Sequence, residues 1–162
     1  MTVAVRPATR ADAAAIWAII APVIRAGETY TLDRTLSEED ALAYWFGADK
    51  AVFVAEAAGA VLGTYYLRAN QAGGGAHVAN CGYMTDAAAA GRGVARAMAA
   101  HSFEAARARG FRAMQFNFVV STNARAVRLW QSLGFDVVGR LPGAFDHPAH
   151  GAVDAFVMHR TL

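Results

Sequence analysis

The apolar positions of this chain alternate between two periods, and the switches between them mark out its elements. Val3-Ala4-Val5-Arg6 reads as a short strand that Pro7 stops. Thr9 and Asp12 then form a helix-start pair three apart, and Ala13, Ile16, Trp17, Ile20 and Ile24 follow at helical spacing. Ser37 and Asp40 repeat that signal ahead of a shorter amphipathic helix carrying Leu42, Trp45 and Phe46. Strands are predicted over residues 51–57 and 61–67, joined by a turn at Ala58-Gly59-Ala60. Gly73-Gly74-Gly75 reads as a hairpin tip, and 77–84 as the next strand. Gly91-Arg92-Gly93 opens a helix to about Arg109, with Gly110 as its C-cap. Residues 113–120 form a β-rich strand. Asn123 caps a helix through Leu133 that Gly134 closes, and 137–141 and 153–159 read as the last strands.

The order β-α-α-β-β-β-α-β-α-β-β predicts an α/β fold. Hairpins at both ends of the chain surround one β-α-β crossover, so the sheet is mixed, mostly antiparallel and flanked by helices. Residues 1–162 read as a single domain, with no internal repeat and no dividing linker.

Composition narrows the class. Hydrophobic residues make up 56% of the chain and charged ones 17%, which excludes a disordered chain; 39 residues are alanine. The net charge is only +2, and the basic residues are not gathered on one face or helix as a nucleic-acid binder requires. Of the 15 basic residues 14 are Arg, so an anion site built here would use the planar guanidinium fork. The lone cysteine, Cys81, excludes an internal disulfide framework and a multi-cysteine zinc site. The first residues lack the apolar core of a signal peptide, and no stretch reaches about 18 uncharged apolar residues. A cytoplasmic protein without membrane or nucleic-acid partners is expected.

The segment from Tyr83 to Arg96, YMTDAAAAGRGVAR, carries the most chemistry. A strand ends there and glycines lead into a helix start, whose free N–H groups and dipole attract anions. Gly91 and Gly93 admit close backbone approach, and Arg92 and Arg96 add charge, so the segment is either a pyrophosphate cradle or a tight turn before a surface helix. It is not a Walker loop, since no Gly-Lys-Ser/Thr follows. Nor is it a dinucleotide fingerprint, since Arg96 occupies the sixth position and no acid stands near Ala113.

Ala90-Gly91-Arg92-Gly93-Val94-Ala95 resembles the (Q/R)-x-x-G-x-(G/A) acetyl-CoA loop of GNAT N-acetyltransferases, with Ala90 replacing the usual Gln or Arg. Asn123 to Phe135, NARAVRLWQSLGF, is similar to the same family's N-x-x-A-x-x-L-Y-x-x-x-G-F segment. The element order fits the family along nearly the whole chain. The resemblance implies that the strands around 80–84 and 115–119 splay apart and admit the pantetheine arm. Cofactor contacts would come from Tyr83, Met84 and Thr85, from Gly91, Arg92, Gly93, Val94, Ala95 and Arg96, and from Asn123. An amine of a small molecule or amino acid would attack the thioester directly, so catalysis is mostly positioning plus removal of a proton. Trp130 stands where many relatives carry a Tyr acid, and an indole cannot replace it. Ala90 and Trp130 together keep a second class open, a catalytically silent acyl-CoA-binding module.

Two amides stand out. Asn117 lies in an otherwise apolar strand and Asn80 precedes the loop strand. A buried amide without partners costs about 1–3 kcal/mol, so each either satisfies sheet-edge backbone or points at the substrate. As catalytic candidates they resemble a branch that acetylates proline analogues such as azetidine-2-carboxylate. Glu28 and Tyr30, between the first two helices, are candidates for the acceptor wall. His101 reads as a structural histidine, and His147 and His150 as loop residues. In this family an exposed hydrophobic edge would also let two copies pair.

Overall fold

A computed structural model describes residues 2–162. The strands are β1 (Ala4–Pro7), β2 (Ala51–Ala57), β3 (Ala60–Ala69), β4 (Val78–Thr85), β5 (Ala113–Val120), β6 (Asp136–His147) and β7 (Gly151–Thr161). They form one sheet in the order β1-β2-β3-β4-β5-β7-β6. All neighbouring strands pair antiparallel except β4 and β5. The helices are α1 (Ala13–Ala26), α2 (Glu38–Trp45), α3 (Val94–Ala108) and α4 (Ala124–Ser132). Among the described residues no helix is long and apolar enough to cross a membrane.

The helical apolar spacing sorts the helices onto the two sheet faces. Ile16, Ile20 and Ile24 of α1 and Trp45 of α2 pack with Val52, Val54, Tyr66 and Met84. Val94, Met98 and Phe103 of α3 pack with Trp130 of α4 on the other face, against Phe53, Tyr65, Cys81 and Met114. Local signals set the helix starts. The Asp12 carboxylate accepts the Thr9 N–H at 2.7 Å, and Asp40 N–H donates to Ser37 Oγ at 3.0 Å.

The final hairpin is longer than the sequence predicts: β6 and β7 run together from 136 to 161 with a short turn between them. Pro142 and Gly143 read as loop residues. Pro142 nevertheless sits inside β6, because β6 is the sheet edge and a residue there needs no second ladder donor. His147 is therefore a buried strand-end residue, with Nδ1 accepting the Ala149 N–H at 3.1 Å.

One joint in the sheet is incomplete. β4 and β5 pair only at Val78–Ala113 and Ala79–Met114, and beyond Ala79 the strands part.

Candidate active site

Ladder phase determines what faces this opening. The Asp86 N–H donates to Leu62 O at 2.9 Å and the Asn70 N–H to Val78 O at 2.8 Å. With an unbroken register between β3 and β4, residues 80, 82 and 84 therefore spend their backbone groups on β3. Residues 81, 83 and 85 turn theirs toward β5, which is no longer alongside. The protein answers two of these vacancies with side chains. The Asn80 amide donates to Gln115 O at 3.0 Å, replacing the first missing rung. The Tyr30 hydroxyl donates to Tyr83 O at 2.9 Å, tying the loop after α1 to the free edge of β4.

On the side of α1 and α2, the opening widens into a cavity of about 260 Å³. Tyr66 shapes its wall. The Tyr66 ring lies across Gly82, where a Cβ would come within 2.6 Å of ring carbon Cε1. Trp45 meets the same ring edge-on at 5.0 Å, and Tyr44 Oη stands 3.4 Å from Tyr66 Oη. Trp130 closes the opposite side, packed 5.0 Å from the Tyr83 ring and 4.8 Å from Phe116. No carboxylate or imidazole is among the described residues lining the cavity. Burial pushes the Tyr30, Tyr66 and Tyr83 phenols up, and pushes the Cys81 thiol to about 12, so none of them ionises near neutrality. Among the described residues in the lining, Arg68 is the one charged side chain.

A second cavity, of about 390 Å³, lies where β4 runs into α3. Gly91 and Gly93 bend the loop through φ values of 78° and 82°, in the left-handed region that glycine adopts freely. The first one-turn hydrogen bond of α3 is the Ala97 N–H donating to Gly93 O at 3.0 Å. The N–H groups of Val94, Ala95 and Arg96 therefore have no carbonyl one turn earlier. Arg96, Arg125 and Arg128 border the same cavity, and Arg96 is held by Ser132 Oγ at 2.9 Å. Asn123 caps α4 through Oδ1, which accepts the Ala126 N–H at 3.3 Å, and its side chain borders the first cavity.

The sequence profile of the acetyltransferase (GNAT) family matches residues 20–135. The chain belongs to the GNAT acetyltransferase family. N-acetyltransferase aca1 of Schizosaccharomyces pombe is 28% identical over 152 residues, covering 83% of this chain and 72% of the relative. A GCN5-related N-acetyltransferase from Kribbella flavida superposes with a TM-score of 0.93 at 48% identity, over 99% of this chain and 98% of that one. The yncA protein of Salmonella typhimurium, solved with its cofactor acetyl-CoA, superposes at 0.87 with 25% identity, over 100% of this chain and 95% of its own. The chain is an acetyl-CoA-dependent N-acetyltransferase. Its own geometry fits that donor: unpaired strand edge for a pantetheine arm, then helix N–H groups and arginines for phosphates.

Not every residue expected at the acetyltransferase site reaches it. Met84 is buried against α1, and its backbone bonds β3, so ladder alternation turns it away from the opening. Glu28 is exposed and lies outside the cavity wall, which its neighbours Thr29, Tyr30 and Thr31 form instead. Asn117 is exposed rather than buried, because a register shift between Phe116 and Val119 turns it out at the cavity mouth. There its Nδ2 donates to Asn70 Oδ1 at 2.7 Å, and its Oδ1 accepts from Gln115 Nε2 at 2.9 Å. Sequence reasoning missed Arg68, Tyr44 and Tyr66 in the first cavity and Arg125 and Arg128 in the second. The two helix arginines had a signal: they stand three apart next to the capping Asn123, on the side of α4 nearest the glycine loop. His101 is structural, with Nδ1 2.7 Å from Tyr65 Oη and burial lowering its pKa.

Gly82→Ala would drive a methyl into the Tyr66 ring. Overpacking of this kind costs about 1–3 kcal/mol, measurable by denaturant unfolding. The Tyr66 ring should move into the cavity and raise the acceptor KM while leaving the acetyl-CoA KM unchanged.

Proposed function

We propose that this acetyltransferase moves the acetyl group of acetyl-CoA onto the amine of a small molecule or amino acid, by direct attack. One observation carries the reading: the two cavities abut along the same two elements. Tyr83 borders one and Thr85 the other on β4; Trp130 borders one and Leu129 the other on α4. A donor laid on the glycine loop would thus present its acyl end to the cavity that Tyr30 and Tyr66 enclose, which is small enough to suit a small acceptor.

Bound acetyl-CoA supplies an activated thioester. In this reading the residues of the chain hold it and shape the space around it. The N–H of Tyr83 and the N–H and C=O of Thr85 extend the β4 edge to the pantetheine amides. The N–H groups of Gly91, Gly93, Val94, Ala95 and Arg96 receive the pyrophosphate, with Arg92, Arg96, Arg125 and Arg128 supplying charge. Arg125 and Arg128 make up for the side chain lost at Ala90. The Asn123 amide nitrogen, not needed for the cap, faces the arm from α4. Asn80 fixes the width of the opening through Gln115, and Asn117 orients the acceptor at the mouth. Cys81 stays a neutral thiol, which supports direct attack over an acyl-enzyme.

Among the described residues the cavity wall holds no carboxylate or imidazole, so in this reading the acceptor ammonium loses its proton to water. Trp130 donates no proton, and the departing thiolate needs little help because its conjugate acid has a pKa of about 8.5. The test is the pH profile of CoA-thiol release with the best acceptor. kcat/KM should climb tenfold per pH unit up to the acceptor's own amine pKa. A plateau beginning near pH 6–7 would reveal a side-chain base and contradict this reading. Asn123→Ala separates cap from contact. Loss of the cap costs about 1 kcal/mol of stability. Loss of one pantetheine hydrogen bond raises the acetyl-CoA Kd by about tenfold. Unchanged affinity would remove Asn123 from the site.

A further inference from the structure

The acceptor cavity is electrostatically one-sided. Arg68, at the end of β3, is the charged side chain in its wall, and it is braced rather than loose. Its Nε points at Asn80 Oδ1, 3.5 Å away, and its Nη1 donates to Asp49 Oδ2 at 3.2 Å. Its guanidinium carbon lies 6.0 Å from the centre of the Tyr66 ring. Nη2 takes no partner among the described residues, so one arm of the fork is free. Lys50 adds a second positive charge behind the wall, with Nζ 4.5 Å from the Tyr44 ring centre and 5.5 Å from that of Tyr66. Asp49 is the acid paired with both cations, and its side chain is 57% exposed, so water screens it from the cavity side.

We propose that Arg68 is a carboxylate anchor and that the acceptor is a free amino acid, held by its carboxylate while its amine meets the thioester. This deepens the function proposed above and rests on it. A cavity lined, among the described residues, by Arg68 and by no carboxylate, with Asp49 on the far side of Arg68, disfavours a polyamine or an aminoglycoside. It attracts an anion, and it favours the neutral form of an amine, which is the form that attacks. Guanidinium suits a carboxylate because its planar nitrogens match the two oxygens. The spacing agrees. Arg68 pairs with Asn80 in the ladder, three residues from Tyr83, which is roughly 10 Å at about 3.3 Å per residue. A charged hydrogen bond of about 2.8 Å and an attack distance of about 3.3 Å leave room for a two- or three-carbon amino acid between them. Arg68 is thus a specificity residue that distinguishes acids from amines, and Asn80 positions it as well as the opening.

The experiment offers α- and β-amino acids, each beside its own carboxamide, with spermidine as a cationic control, and follows CoA-thiol release. Wild type should favour the acid over the amide by ten- to hundredfold in kcat/KM, mostly through KM, and should reject spermidine. In Arg68→Met that ratio should fall to about one while the acetyl-CoA KM holds, and Arg68→Lys should recover part of it. A wild-type ratio near one, or a ratio that survives Arg68→Met, overturns the anchor. If neither acids nor amides turn over, calorimetric binding of the same pairs to the CoA-loaded protein separates the two ideas. A preference for acid that Arg68→Met abolishes keeps the anchor and rejects acetylation of these acceptors; no preference rejects the anchor.

Discussion

Everything at this site depends on a ladder that stops. Buried backbone N–H and C=O groups must find partners, and in a sheet they find them in the next strand. Between β4 and β5 that supply ends after Ala79 and Met114. A gap of this kind would be costly in a sheet with no other resource. Here the chain meets the cost with Asn80, whose amide bridges to Gln115 O, and with Tyr30, whose hydroxyl reaches Tyr83 O. What remains unpaired along β4 is an edge ready to receive another extended, amide-bearing chain. The pantetheine arm of acetyl-CoA is such a chain, which is why a break in the sheet and the chemistry of this family coincide.

The charges follow from the same division of space. At one end of the opening the start of α3, with Arg96, Arg125 and Arg128, gathers positive potential where phosphates would lie. At the other, Arg68 lines the cavity and Lys50 stands behind it, beside Tyr66, and burial keeps Tyr30 and Tyr66 protonated. Among the described residues, neither cavity is lined by a carboxylate or an imidazole. In the proposed reaction the site holds a neutral amine against the thioester, and the proton balance belongs to the acceptor and the solvent. Trp130 fits this economy: it serves as aromatic wall between Tyr83 and Phe116, with no proton to give.

Much of the architecture was legible in the sequence because its signals are local. Helix starts at Ser37 and Asn123 and the glycine bend at Gly91 and Gly93 each depend on residues within a few positions, and the structure carries them. The element order and the family's glycine loop followed. What was not legible depends on partners far along the chain. Met84 is turned away by the phase of the β3–β4 ladder, which no run of neighbouring residues encodes. Asn117 is turned outward by a bulge set against β7. Pro142 looked like a loop residue, and only its position on the sheet edge lets it sit in a strand. Arg68 carried no signal in the sequence; the fold places Asn80, Asp49 and Tyr66 around it.

Cys81, Tyr83 and Thr85 turn their amides toward the opening between β4 and β5, the proposed seat of acetyl-CoA. Residue-resolved hydrogen exchange measures this directly. These three amides should exchange fast in the free protein, far faster than Gly82 and Met84, whose groups are bound to β3. With saturating acetyl-CoA, Tyr83 and Thr85 should become protected while Gly82 and Met84 stay as they were. Amides of Tyr83 and Thr85 already protected in the free protein, or unmoved by acetyl-CoA, would contradict the account.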